Sequence, residues 1–139
     1  MTNINQTGEA FENAPVSARV KIAGLWTSTL FIFAYVDIFA LLRADFVEGV
    51  LAGKVAVFSV DQTFLLLTTI YVIVPSLMIF LSLVLSPKVN RWANIILAVF
   101  YAVTILGGSI GETWIYYLVG SGVEVLLLIA IVWHAWKMP

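Results

Sequence analysis

The sequence predicts an all-α polytopic membrane protein, an up-down-up-down bundle of four transmembrane helices with a short amphipathic segment between the first and second. Three observations lead there. Hydrophobic residues fill 62% of the 139 positions and charged residues only 11%, with a mean hydropathy of +1.04, far outside the range of a soluble domain. The apolar residues gather into four runs of roughly the 20 residues a helix needs to cross about 30 Å of hydrocarbon. The seven Lys and Arg residues stand near the ends of those runs, where topology signals belong. A helix satisfies its backbone groups within its own segment, so four such runs on short connections fold as a bundle. No length remains for a separate soluble domain.

Residues 1–17 are polar, carry Glu9, Glu12 and Pro15, and lack an apolar core. They read as a disordered cytoplasmic tail ahead of one transmembrane domain over 18–139. The first helix is expected over about 20–42, too long for the apolar region of a cleavable signal. The next stretch, RADFVEGVLAGKVAVFSV from Arg43 to Val60, is short and amphipathic, which suits an interfacial helix or folded loop. Ser59 and Gln62 have capping-box spacing and Asp61 offers a second cap, so the second helix is placed at about 61–85. Pro87 marks the turn. The third helix is expected over about 90–106, stopping at Gly107-Gly108, and the fourth over about 113–136.

Arg19, Lys21, Lys88, Arg91 and Lys137 flank one side of the bundle, and Arg43 and Lys54 the other. That bias puts both termini in the cytoplasm. Trp26, Trp92, Trp133 and Trp136 are then expected at the inner interface and Trp114 at the outer one.

Several chemistries drop out. There is no cysteine, hence no thiol catalysis or thiolate metal site. No basic run invites nucleic acid. His134 is the sole histidine and reads as an interfacial side chain, so one chain cannot supply a bis-histidine haem site. No catalytic residue, metal ligand or cofactor motif is assigned.

The informative residues are those that insertion into lipid penalises. Asp37 falls near the end of the first helix and Glu124 near the middle of the fourth, and each costs a few kcal/mol unless paired or neutralised. Thr113, Tyr117, Gly120, Ser121 and Glu124 share one side of the fourth helix. Asn90, Asn94, Ala98, Tyr101 and Gly108 form a comparable stripe on the third. Asp61, Thr68, Pro75 and Ser82 recur every seven positions on the second, and Ala23, Ala34, Asp37, Ala40 and Ala44 share a side of the first. Tight packing through small residues explains such stripes without any ligand, but agreement in depth favours a site. Tyr101, Pro75 and Glu124 all count to the bilayer centre. Pro75 also lacks an N–H and leaves the carbonyl of Tyr71 without its usual partner, so a carboxyl, a phenol and a free carbonyl could satisfy one another. Arg91 has two readings: an anchor on lipid phosphate beside Trp92, or the mouth of the stripe that runs through Asn94 to Tyr101. The candidate ligand or ion residues are Glu124, Asp37, Tyr101, Tyr71, Asn94, Arg91, Tyr117 and Thr68.

The motifs NRWANI at the start of the third helix, YVDI in the first and the closing WHAW give the chain, after about Ala18, a resemblance to an uncharacterised family of small bacterial four-helix membrane proteins. That resemblance implies the fold and a bacterial inner membrane and no particular activity. Three function classes stay open. The first is transport or channel-like movement of an unidentified small molecule or ion, with Glu124 taking up and releasing a proton and a homo-oligomer supplying the pathway that four short helices leave little room for. The second is a non-catalytic membrane accessory or lipid-binding protein. The third is an enzyme acting on a lipid or quinone.

Overall fold

The computed structural model describes residues 14–138; of the expected tail, residues 1–13 lie outside them. Within that span run α1 (Ala18–Ala40), α2 (Ala44–Leu51), β1 (Lys54–Val55), β2 (Phe58–Ser59), α3 (Gln62–Val84), α4 (Pro87–Gly108) and α5 (Ile115–Trp136). Four of the helices, α1, α3, α4 and α5, are long and apolar enough to cross a membrane, which makes this an all-α multi-pass membrane protein.

Each boundary has a local cause. Ser17 caps α1 through its hydroxyl, which accepts from the Val20 N–H at 3.4 Å. Asp61, not Ser59, caps α3, its carboxylate accepting from the Phe64 N–H at 2.7 Å. Ser59 instead pairs with Lys54 in a small antiparallel hairpin. The hairpin turn holds Ala56 at φ 49°, a conformation usually given to Gly or Asn, so the sequence carries no turn signal there. Pro87 opens α4 in its first turn, where its missing N–H would have had no helical partner anyway, so the helix begins earlier than Asn90. It also runs on through Gly107 and Gly108. At the other end of that connection, Gly111 takes φ 83°, and the Glu112 carboxylate accepts from the N–H groups of Thr113 and Trp114 at 2.8 and 3.0 Å. This delays α5 to Ile115.

The long helices form an antiparallel ring: α1 lies against α3 and α5, and α4 lies against α5 and more loosely against α3. One end of the ring, the terminal end, gathers the start of α1, the α3–α4 turn and the end of α5. The opposite, loop end gathers α2, the hairpin and the α4–α5 connection. Close approach of α1 to α5 needs Gly120, because a Cβ there would collide with the stiff β-branched side chain of Val36. The core is built on Ile22, Trp26, Met78, Ala98, Leu128 and Ile131. Trp26 belongs to this core with 0% exposure and not to the interfacial belt. Trp92, Trp133 and Trp136 are exposed at the terminal end and Trp114 at the loop end.

Candidate functional site

Four helices converge on a cavity of about 110 Å³ in the loop-end half of the bundle. Helix α1 contributes Phe33, Val36 and Asp37, α3 Tyr71, α4 Thr104 and Ile105, and α5 Tyr117, Ser121 and Glu124. The spacing explains the grouping: Phe33 and Asp37 stand one turn apart, and Tyr117, Ser121 and Glu124 follow i, i+4, i+7 along one face. At 1.5 Å per residue, Asp37 sits about 5 Å from the loop end of α1 and Glu124 about 14 Å from that of α5. The cavity therefore runs along the bundle axis, from an exposed rim at Asp37 to Glu124, which is 2% exposed. A buried water occupies roughly 10–15 Å³ on this measure, so the space holds several.

Its electrostatics are one-sided. Two carboxyls face it, and among the described residues no Lys, Arg or His lines it. Glu124 Oε1 has no hydrogen-bond partner among the described residues. The hydroxyls around it are directed. Thr104 donates to the Tyr101 carbonyl at 2.9 Å, so its single proton is committed. In the 2.6 Å contact between Tyr71 and Thr104, Tyr71 must then be the donor. The Tyr71 oxygen keeps its acceptor lone pairs.

Behind Tyr71 the proline-freed carbonyl finds its partner: Tyr101 donates to the Tyr71 carbonyl at 2.6 Å, four residues before Pro75. The two rings meet edge-on at 4.7 Å, and Trp26 packs edge-on against Tyr101 at 6.0 Å. Phenol and carbonyl thus satisfy each other as the sequence suggests, whereas Glu124 turns away to the larger cavity. A small apolar gap of about 20 Å³ lies between Trp26, Pro75, Tyr71 and Tyr101.

Four candidates do not line the cavity, Tyr101 behind Tyr71 being one. Thr68 is exposed and its hydroxyl donates to the Phe64 carbonyl of its own helix at 2.9 Å. Asn94 sits in the terminal half, in a buried network. Its carbonyl oxygen accepts from the Trp26 indole N–H at 2.7 Å and the Ser82 hydroxyl at 3.2 Å. Its amide donates to the Asn90 carbonyl at 2.8 Å and side-chain oxygen at 2.7 Å. Asn90 in turn donates to the Ser82 carbonyl at 2.7 Å, one of the carbonyls orphaned at the end of α3. Arg91 lies at that same end, donating to the Met138 carbonyl at 3.4 Å and stacking over Trp136 at 4.7 Å and Trp92 at 5.9 Å. The aromatic stacking fits the interfacial anchor better than the mouth of a site. On α1 the shared side is only partly the expected one: Ala23 and Ala40 are buried, but Ala34 and Asp37 are exposed, as is Ala44 at the start of α2, and Ile22, Trp26, Thr29 and Val36 make up the rest of the buried face.

Arg43, read from the sequence only as a topology charge, closes the loop end. Its guanidinium pairs with Asp45 at 2.7 Å and Glu112 at 3.1 Å and lies 4.6 Å over the Trp114 ring. The hydrogen bond from Arg43 is the main reason that Asp45 titrates below its ordinary value. Burial pushes the Glu112 carboxyl up, but the Trp114 N–H, the Arg43 guanidinium and the Thr113 N–H together hold it below the usual range. Spacing offered no signal for a clasp between residues so far apart in the chain. No trio of His, Asp or Glu side chains among the described residues is grouped to hold a metal.

Fold and cavity together define a small helical membrane protein with a carboxyl-bearing intramembrane cavity. The chain belongs to the family described as "Family of unknown function (DUF6326)", whose model matches residues 13–138. No curated protein matches, and no solved structure does.

Proposed function

We propose that the protein moves a small solute or ion across a bacterial inner membrane, both termini lying in the cytoplasm, with Glu124 as the protonatable group and Asp37 at the entrance. One observation carries this reading: a buried carboxyl oxygen with no partner among the described residues faces the same cavity as a second carboxyl at an exposed rim. Polar groups within lipid are costly and are kept where they work. The cavity ends at Tyr71, and beyond it the Tyr101 hydroxyl and every polar side chain of the Asn94 network are engaged, so passage requires α3 to shift at Pro75 or a second copy to complete the route.

The test is flux. Purified protein in liposomes loaded with a pH-sensitive dye should dissipate an imposed proton gradient. Glu124→Gln, which preserves size, should abolish that activity, and Asp37→Asn should slow it. A Glu124→Gln protein as active as the parent, or a folded parent with no flux, would leave the cavity to an accessory or lipid-binding role.

A further inference from the structure

We infer that the Asp37–Glu124 cavity is a binding site for a small organic ammonium ion. The inference rests on the reading of this cavity as the working site and names what occupies it.

Charge selects a cation. Asp37 faces the cavity from α1 and Glu124 from α5, the remaining titratable groups are Tyr71 on α3 and Tyr117 on α5, and α4 contributes the hydroxyl of Thr104. With no basic side chain in the lining among the described residues, an anion would meet only repulsion, and a cation supplies the partner that Glu124 Oε1 lacks among them. Because Tyr71 spends its proton on Thr104, its oxygen accepts as well. An ammonium head brings N–H donors to such acceptors.

Shape selects an organic one. A bare metal ion wants about six or more oxygens converging on one point, but here the oxygens are spread over about 110 Å³ and alternate with Phe33, Val36 and Ile105. Those carbon walls match an alkyl body, and the faces of Phe33 and Tyr71 favour a cationic head nearby. Asp37 at the rim makes the first encounter. Glu124, buried at the inner end of the cavity, makes the charged hydrogen bond that holds. The ammonium ion pairs with a carboxylate, so any proton on Glu124 or Asp37 leaves to the buffer as the ligand enters.

Calorimetry on the full chain in lipid nanodiscs, with ethylammonium chloride as probe and sodium chloride as control, tests this. Ethylammonium should bind saturably, with a heat that depends on the buffer's ionisation enthalpy, whereas sodium should not bind. Glu124→Gln should weaken binding roughly tenfold or more, the loss of one charged hydrogen bond. Asp37→Asn, at the exposed rim where folding is least at stake, should weaken it less, and Thr68→Val should leave it unchanged. Sodium binding equal to ethylammonium, or unaltered ethylammonium affinity in both carboxyl variants, overturns the inference. Proton flux in liposomes without ethylammonium binding would discard the ligand class and keep the transport reading. Ethylammonium binding without flux would keep the site and discard transport.

Discussion

At the terminal end of the bundle, Trp26, Ser82, Asn90 and Asn94 bury several polar atoms and pair them with one another or with an orphan carbonyl. In the loop-end half, Glu124 buries a carboxyl oxygen and pairs it with nothing among the described residues. Both sets sit in segments that lipid surrounds, where an unpaired polar group is expensive. Only the first set is explained by the fold: it ties α1, α3 and α4 together and closes the end of α3. The second adds a cost without returning a contact, which is the pattern of a group retained for its chemistry.

The widest gap between the two ends should appear on removing a polar side chain from each. Asn94→Ala strands the Trp26 N–H and the Ser82 hydroxyl and should lower stability by about 2–3 kcal/mol, since a buried group left unpaired costs about 1–3 kcal/mol and interhelical bonds within lipid contribute up to about 1.7 kcal/mol each. Glu124→Leu should act with the opposite sign and raise stability by about 1–2 kcal/mol, because an uncompensated polar group is replaced by an apolar one of similar size. Reversible unfolding in bicelles gives both numbers. Loss of stability in Glu124→Leu would show that the carboxyl has a structural partner and would erase the contrast.

Between the two ends lies the Tyr101–Tyr71–Pro75 junction, where a double-mutant cycle sharpens the comparison. Tyr101→Phe should cost about 1 kcal/mol by leaving the Tyr71 carbonyl unpaired. In a Pro75→Ala background alanine restores the N–H four residues after that carbonyl, and the same Tyr101→Phe change should be nearly neutral. Equal costs in the two backgrounds would mean that the phenol does not replace the missing backbone donor.

Most of this junction was legible in the sequence, because a proline and a polar stripe stand out in an apolar run. Asn90, Asn94, Ala98 and Tyr101 are all buried on one face of α4, as helical spacing predicts. The face of α1 is legible only in part for a physical reason: the small residues Ala23 and Ala40 are buried as their spacing predicts, but the bundle centre is filled by Trp26, whose indole N–H finds its acceptor in Asn94 on another helix. No spacing rule links residues that far apart. The shared cavity was equally hidden. Counting depth separates Asp37 from Glu124, and only the packed bundle, with its opening along the axis, brings them to one space.

The smallest expected effect belongs to the Arg43–Glu112 clasp, which ties the α1–α2 turn to the α4–α5 connection. Glu112→Gln keeps an oxygen to accept from the Thr113 and Trp114 N–H groups and removes only the ion pair with Arg43, so it should cost about 1 kcal/mol or less at neutral pH, as for other partly exposed pairs. The pH dependence fixes the mechanism. Glu112 titrates lower in the folded protein than its ordinary value, so its stabilisation is fully present above the unfolded value of about 4.3 and disappears as pH falls through the lower folded value. Unfolding free energies of parent and variant should therefore differ by a constant amount from neutrality down to about pH 5 and converge below it. The gap should also narrow in high salt, which screens a pair this close to water. A difference that widened on acidification would require the Glu112 carboxyl to be stabilised in its protonated form, and the clasp would then be a hydrogen bond to a neutral acid, not an ion pair.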